Sequence, residues 1–255
     1  MNKLYVLLPC YNEQDNIGDL IDSWIARKPE LSERGYDLQV HAIDDCSKDE
    51  TKNIIISKSE QYPENVHLIE HEVNKNLCGG LNTAIAFFTG KGAEGDLMCI
   101  MDGDNTQNPK YISEMIDKMK KDDTDVVIAS RYRNGADVVG LAGYRKFMSD
   151  CARFYYTAVL RIPGVRDYTC GYRVYKYEII KKVADKFGVD PIKEKTFACM
   201  MELLYKTYMA GAKFSEVGFK LRYDQKKGES KMNVRKTMMR SISAAWRLKM
   251  GKGNI

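Results

Sequence analysis

Short apolar segments alternate with segments of helical spacing through the first 130 residues, and this alternation limits the possible folds more than any other feature. The predicted strands are residues 3–8, 37–43, 66–71, 96–101 and 125–130. The predicted helices are residues 16–26, 49–59, 80–88 and 109–119. Because connections this short form right-handed crossovers, the sequence predicts an α/β fold with a mostly parallel sheet and helices on both faces.

Beyond Ser130 the pattern changes. Residues 144–160 and 195–209 have helical spacing, 214–223 are extended, and 233–250 form a closing amphipathic helix. The chain has no internal repeat and no low-complexity linker. We therefore expect a single domain, residues 1–232, followed by a basic amphipathic helical extension, residues 233–255.

The composition indicates the size of the core, the cellular location and the state of the cysteines. With 255 residues, 44% of them hydrophobic, the chain can bury a full core. No segment is apolar enough for a signal peptide or a membrane span, so we expect a cytosolic protein, with peripheral contact to the membrane left open. Seven cysteines without Cys-x-x-Cys spacing indicate reduced thiols and no zinc site.

The net charge of +5 is unevenly distributed. Residues 213–252 contain twelve lysines and arginines against three acidic residues. This segment favours an anionic surface or substrate. Charge alone leaves both nucleic acid and membrane phospholipid open as partners.

An apolar run, Leu97 to Met101, stops abruptly at Asp102 and Asp104. A strand that ends in this way presents two carboxylates at the carboxyl edge of the sheet, where open α/β sheets bind ligands. Because the two carboxylates repel each other, we expect a cation such as Mg²⁺ carrying a substrate diphosphate. An acidic, solvated turn remains the alternative. An EF-hand loop fits worse, because Gln107 stands where that loop needs glycine.

The three preceding strands also end in residues that suit a nucleotide. The first strand is followed by Pro9, Tyr11 and Glu13, and the second by the segment 44–49, which has three aspartates. The third is followed by the glycine-containing segment 76–80. Each alone is compatible with ordinary capping, but together they predict a nucleotide site. The Gly-x-Gly-x-x-Gly of dehydrogenases and the P-loop motif are both absent, which favours metal-assisted chemistry on a nucleoside diphosphate.

In this order, the motifs resemble those of family 2 glycosyltransferases, which have the GT-A fold. Further matches resemble the dolichyl-phosphate and polyprenyl-phosphate mannosyltransferases and glucosyltransferases. They are Ala-Ser-Arg-Tyr at 129–132, Arg145 with Ser149, Asp-Tyr-Thr-Cys-Gly-Tyr-Arg at 167–173, and Gly-Glu-Ser-Lys at 228–231. The resemblance covers about residues 3–232 and implies a Rossmann-like GT-A domain.

The resemblance also implies roles for individual residues. The implied nucleotide ligands are Pro9, Tyr11, Glu13, Asp45, Gly80 and Asp102. The implied ligands of Mg²⁺ or Mn²⁺ are Asp102, Asp104 and Gln107. The implied catalytic residues are Asp104, Arg131 and Arg145, and the implied substrate ligands are Ser149, Arg173 and Lys231. Two positions depart from the family pattern. Gln225 stands where an arginine is common, and Gln107 lies three residues after Asp104 instead of two.

The acceptor determines what chemistry the enzyme must provide. A sugar hydroxyl needs a general base, whereas a phosphate monoester is already anionic at neutral pH. Together with this chemistry, the resemblance implies an inverting, metal-dependent enzyme that moves a hexose from a nucleotide-diphosphate sugar to a polyprenyl phosphate, and we expect no nucleic acid as partner.

Two other functions stay open at this point. One is transfer to a glycan or small hydroxyl acceptor in cell-surface polysaccharide synthesis, and the other is a non-enzymatic nucleotide-sugar-binding scaffold. The Gln-x-x-Arg-Trp motif of processive synthases is absent. The closing helix lies either in a membrane interface or against the domain, and Trp24 and Trp246 are interpreted as packing residues.

Overall fold

A computed structural model describes residues 1–140, 143–188, 190–225 and 234–251, without the side chains of 144–147, 225 and 234–239. The strands are β1 (Asn2–Cys10), β2 (Tyr36–Asp44), β3 (Val66–Glu70), β4 (Leu97–Ile100), β5 (Val126–Ser130), β6 (Asp137–Val139), β7 (Arg173–Lys176), β8 (Phe214–Gly218) and β9 (Lys220–Arg222). The helices are α1 (Ile17–Ile25), α2 (Lys28–Glu33), α3 (Thr51–Gln61), α4 (Asn76–Lys91), α5 (Ile112–Asp122), α6 (Gly143–Leu160), α7 (Tyr177–Phe187), α8 (Cys199–Met209) and α9 (Val234–Lys249). Single 3₁₀ turns cover Pro109–Tyr111 and Tyr223–Gln225.

Seven strands form one sheet in the order β3-β2-β1-β4-β7-β5-β8. All neighbouring strands are parallel except β7, which runs antiparallel to both β4 and β5. Strands β6 and β9 pair separately. The expected mixed α/β fold with a mostly parallel sheet is therefore confirmed. The predicted extended segment 214–223 is in fact two strands, β8 and β9, in different sheets.

Both faces of the central sheet are covered. Five consecutive residues of β1, Leu4 to Leu8, are each at most 5% exposed, although successive side chains point to opposite faces. Helix α1 buries Ile17, Leu20, Ile21 and Trp24, which follow helical spacing. Burial of this kind holds the carboxyl ends of β1, β2 and β4 in fixed positions, and the loops that follow them carry the candidate site.

Helix α9 packs against α6 and α8 through Ser241, Ala244, Ala245 and Leu248, all of which are buried. Trp24 is fully buried, as expected of a packing residue. The same interpretation of Trp246 was wrong, because 53% of this residue is exposed. In the described residues, no helix is both long and apolar enough to cross a membrane.

Candidate active site

The segments after β1 and β2 are joined by several hydrogen bonds, three of which involve Asn12 or Glu13. The Asn12 amide nitrogen donates to Ser47 Oγ (2.9 Å), the Lys48 amide nitrogen donates to Asn12 Oδ1 (2.8 Å), and the Glu13 amide nitrogen donates to Thr51 Oγ1 (2.7 Å). These bonds place the predicted ligands Tyr11 and Glu13, both half-buried, beside the acidic loop after β2.

Left-handed backbone is concentrated in the same region. Asn12, Cys46, Asn76 and Asn105 have φ between 52° and 60°, and each lies in the connection after, or the first turn of the helix after, one of β1 to β4. Non-glycine residues adopt this conformation at a cost, and such residues cluster where a loop serves a ligand. The backbone thus marks the edge of the sheet that the sequence had singled out.

Asp45 is 5% exposed and is held by contacts from the chain that follows β3. Its Oδ1 atom lies 2.7 Å from His71 Nδ1 and accepts a hydrogen bond from the Lys75 amide nitrogen (2.7 Å). His71 Nε2 in turn lies 2.8 Å from Thr83 Oγ1 on α4. The carboxylate of Asp45 is therefore fixed in orientation. Sequence reasoning missed His71, because a single histidine at a strand end carries no motif.

Gly80 lets the first turns of α4 approach the end of β1. A Cβ atom at this position would lie 3.0 Å from Cβ of Pro9, closer than almost all real contacts. The structure thus brings Gly80 and Pro9 together by packing, and Gly80 itself is buried.

Asp102 and Asp104 lie directly beyond β4, and both are half-buried. Gln107 Nε2 donates to Asp102 Oδ2 (2.8 Å), and the Thr106 hydroxyl donates to Asp104 Oδ1 (2.7 Å). Gly171 lies so close that a Cβ atom there would come within 2.8 Å of the Asp102 carboxylate oxygens. These contacts fix the two carboxylates at the carboxyl edge of the sheet.

This donor set fits a divalent cation that is completed by its substrate. Gln107 Oε1 is buried and has no hydrogen-bond partner in the described part of the chain, so it is an oxygen that a cation or its water can use. The described residues contain no group of three or more His, Cys, Asp or Glu side chains that could hold a metal alone. Mg²⁺ commonly binds one or two carboxylates and takes its remaining ligands from phosphates and water.

Arg131 forms a buried ion pair with Asp167. Arg131 Nε donates to Asp167 Oδ2 (2.8 Å), and Arg131 Nη2 donates to Asp167 Oδ1 (2.6 Å) and to Thr169 Oγ1 (2.5 Å). Burial acts to raise the pKa of the Asp167 carboxyl, but the Arg131 guanidinium outweighs it and holds the pKa below its ordinary value. Two of the three guanidinium nitrogens of Arg131 thus form hydrogen bonds with the segment that carries Gly171, and these bonds hold that segment against Asp102.

Arg173 differs from the sequence expectation. Its side chain is fully buried, with Nη1 donating to the Met200 carbonyl (2.6 Å) and Nη2 donating to the Tyr168 carbonyl (2.9 Å). It therefore joins β7 to α8 and to the preceding loop, and it does not open onto the site as a substrate ligand would. A sequence motif gives the identity of this arginine but not the carbonyls that surround it.

A second buried ion pair, Glu202 with Lys206, lies on α8. Lys206 Nζ is 2.7 Å from Glu202 Oε1, and both side chains are 4% exposed. Glu202 Oε2 also accepts hydrogen bonds from the amide nitrogens of Lys193 and Glu194 (3.0 and 2.7 Å). This pair was not anticipated from the sequence, and it fixes the loop before α8.

The remaining predicted ligands lie on or after α6. Ser149 Oγ is 2.7 Å from the Tyr132 hydroxyl. The backbone of Arg145 belongs to α6, but its side chain lies outside the described residues, as do all of Lys231 and the side chain of Gln225. Their predicted roles therefore stay predictions.

Comparison with protein families and curated sequences gives a consistent result. The model of glycosyl transferase family 2 matches residues 5–184. The dolichol-phosphate mannosyltransferase of Pyrococcus furiosus is 28% identical over 254 residues, covering 99% of this chain and 65% of that protein. The polyprenol monophosphomannose synthase of Mycolicibacterium smegmatis is 27% identical over 239 residues, covering 92% of this chain and 84% of that protein. This chain thus spans about two thirds of the length of the Pyrococcus relative.

Solved structures share the fold. Glucosyl-3-phosphoglycerate synthase from Mycobacterium tuberculosis, in complex with Mn²⁺, UDP and glucosyl-3-phosphoglycerate, superimposes with a TM-score of 0.67 at 16% identity, covering 98% of this chain and 80% of that one. A mannosyltransferase from Pyrobaculum calidifontis, in complex with GDP-Man and Mn²⁺, gives 0.56 at 17% identity, covering 98% and 61%. The expected GT-A fold is confirmed.

Proposed function

The chain belongs to glycosyl transferase family 2, and we propose that it moves a hexose, mannose or glucose, from a nucleotide-diphosphate sugar to a polyprenyl phosphate, with inversion at the anomeric carbon. That it is a glycosyltransferase follows from the family. The two curated relatives, whose names specify dolichol phosphate and polyprenol, support the choice of acceptor.

The observation that carries the proposal is that Asp102 and Asp104 lie at the same edge of the sheet as the loops after β1 and β2. Asp45, fixed by His71, would accept a hydrogen bond from the nucleoside, and Tyr11 and Glu13 would line the same pocket. Asp102 and Asp104, with Gln107, would hold Mg²⁺ or Mn²⁺ on the donor diphosphate. When bound, such an ion stabilises the negative charge of the departing nucleoside diphosphate.

The ion pairing of two buried carboxylates, Asp167 and Glu202, favours a phosphate acceptor. A hydroxyl acceptor requires a carboxylate that can accept its proton. Asp167 is instead paired with Arg131, and Glu202 is paired with Lys206. A phosphate monoester has a second pKa of about 6 and attacks as an anion at neutral pH, so it needs no such base. The residues of this chain then have to bind and orient the phosphate rather than deprotonate it.

A donor panel tests the proposal directly. GDP-mannose, UDP-glucose and related donors should each be incubated with a short-chain prenyl phosphate and Mg²⁺ or Mn²⁺, and products should be identified by mass spectrometry. We expect one donor to give a prenyl-phosphate hexose. If no donor yields this product while a hydroxyl acceptor is glycosylated, the acceptor assignment is wrong.

We also propose that the enzyme acts as a peripheral protein at the inner face of the membrane, where a prenyl phosphate is found. The face of α9 opposite the packed one exposes Ile242 (36% exposed) and Trp246 (53%), and the exposed Met250 (62%) follows directly after the helix. Arginines and lysines at 240, 247 and 249 flank them in the sequence. An exposed tryptophan between cationic residues is typical of helices that lie on anionic lipid.

Tryptophan fluorescence can test this surface, because Trp24 is fully buried and Trp246 is exposed. Vesicles of anionic phospholipid should shift the emission of Trp246 to shorter wavelength, and neutral vesicles should have less effect. In sedimentation with the same vesicles, Trp246→Ala should bind about tenfold more weakly, since about 1.5 kcal/mol of apolar burial is lost. Ile56→Gln on α3, which is 37% exposed, is the matched control. Emission unchanged by either vesicle would contradict the proposal.

A further inference from the structure

Within the described residues, the Asp45 carboxylate leaves one of its two oxygens open to a ligand. Its Oδ1 atom lies 2.7 Å from His71 Nδ1 and accepts a hydrogen bond from the Lys75 amide nitrogen (2.7 Å). A carboxylate oxygen has about two lone-pair sites, so both sites of Oδ1 are used. Oδ2 accepts no hydrogen bond from the described residues, and it is accessible, in contrast to the buried and unpartnered Asp44 Oδ1. This second oxygen therefore reaches the surface of the site.

His71 keeps the first oxygen occupied. Only 3% of the His71 side chain and 7% of the Asp45 side chain are exposed, so little water competes for the bond between them. Because a carboxylate accepts hydrogen bonds and does not donate them, His71 donates from Nδ1, while its Nε2 bonds to the Thr83 hydroxyl (2.8 Å). The ring is thus held at both nitrogens. A ligand that needed Oδ1 would have to displace His71 or the Lys75 amide.

Nucleotide bases differ in the donors that they offer to a carboxylate. Guanine presents two adjacent donors, N1–H and the 2-amino group, which pair with both oxygens of one carboxylate. Uracil and thymine present a single donor, the imide N3–H, for which one oxygen is sufficient. Adenine and cytosine have an acceptor nitrogen beside their amino group, and this nitrogen would face the carboxylate with no proton between them. A carboxylate with one open oxygen therefore fits uracil or thymine best.

We propose that His71 is a positioning residue that selects a uracil or thymine base in the donor, because it occupies the Asp45 oxygen that guanine would need. This inference rests on the proposed function, in which Asp45 accepts a hydrogen bond from the nucleoside. A guanine base would keep one donor unpaired beside Asp45, which weakens binding about 10- to 100-fold. The donor is then a pyrimidine nucleoside diphosphate sugar, and uridine and thymidine both satisfy Asp45.

Calorimetric titration of the full chain with UDP, dTDP or GDP in the presence of Mn²⁺ tests this selection without an acceptor or turnover. We expect UDP or dTDP to bind about tenfold or more tightly than GDP, and the comparison of UDP with dTDP identifies which of the two the site takes. GDP that binds as tightly as both pyrimidine nucleotides would overturn the inference. Binding of none of the three would instead reject the proposed function, which requires a nucleotide site.

His71→Leu separates selection of the base from a general loss of structure. Removal of the imidazole donor frees a site on Asp45 Oδ1, so we expect the ratio of the GDP to the UDP dissociation constant to fall about tenfold, whereas general damage would weaken both nucleotides alike. His71→Asn, whose amide can replace the Nδ1 donor, should keep the ratio of the wild-type protein. His67→Leu is the matched control, since His67 lies four residues earlier and bonds to Gln39.

Thr83→Val covers the case in which His71→Leu does not fold, as judged by circular dichroism. This variant removes the hydroxyl that holds His71 Nε2 at nearly constant side-chain volume, so we expect a smaller fall in the same ratio. A ratio that stays at the wild-type value in folded His71→Leu, or in Thr83→Val where that variant alone folds, would contradict the role of His71.

Discussion

Substitution of Asp104 by alanine is expected to lower kcat/KM for transfer by about a thousandfold, because a cation on the donor diphosphate would lose one of its two carboxylate ligands. The fold should be unaffected, since Asp104 is half-buried at a strand end and bonds locally to Thr106. Steady-state kinetics with increasing Mn²⁺, together with thermal unfolding, measure both effects. Asp117→Ala is the control, because the Asp117 carboxylate is 59% exposed and pairs with Arg34 at the surface.

Two further measurements bear on the same assignment. Asp102→Asn should be nearly as harmful, because the Asp102 carboxylate is held by Gln107 beside Gly171. Chelation with EDTA should remove activity, and added Mg²⁺ or Mn²⁺ should restore it. Full turnover by a folded Asp104→Ala enzyme, or equal activity with and without EDTA, would contradict the metal assignment.

Asp167→Ala should lower the free energy of unfolding by about 3–5 kcal/mol, the usual cost of leaving one member of a buried ion pair alone. Asp167 is fully buried, and it accepts hydrogen bonds from the Arg131 guanidinium and from the amide nitrogens of Arg131 and Cys170. Urea unfolding measures the change. Glu70→Ala, which breaks the exposed pair with Lys52, is the control and should cost less than about 1 kcal/mol.

The pH dependence of the same pair has a definite sign. The pKa of Asp167 in the folded protein lies below its ordinary value of 3.8, so the unfolded chain takes up this proton first as the pH falls. The stabilisation is therefore complete at neutral pH and is lost below about pH 4. Wild-type protein should lose stability more steeply than Asp167→Ala in this range. If Asp167→Ala lowers the free energy of unfolding by less than about 1 kcal/mol at pH 7, the ion pair of Asp167 with Arg131 does not hold this loop in place.

The strands of the first half were predictable because each is a run of buried apolar residues between polar turns. Strand β2 was expected at 37–43 and spans Tyr36–Asp44. Helix α2, strands β6 and β7, and helix α7 were not predicted. Strand β7 has four residues and begins at the buried Arg173, and its antiparallel pairing with β4 and β5 depends on residues distant in sequence. A local pattern does not contain that information.

The same distinction between local pattern and tertiary contact applies to the candidate site. Asp45, Asp102 and Asp104 could be named from the sequence because they follow apolar strands, and parallel strands end at one edge. The partners of the arginines could not be named from the sequence. Tertiary packing decides whether an arginine binds a carboxylate, as Arg131 does, binds internal carbonyls, as Arg173 does, or stacks on a tyrosine ring, as Arg153 does on Tyr132.

The most direct test of the proposed function compares a short prenyl phosphate with the corresponding prenyl alcohol, using the same donor and Mn²⁺. Transfer to the phosphate and none to the alcohol is the expected result. The rate should be constant between about pH 7 and 8 and should fall below about pH 6, where the acceptor phosphate becomes protonated. Transfer to the alcohol but not to the phosphate would contradict the proposal, because it would require a general base that the ion pairs of Asp167 and Glu202 do not provide.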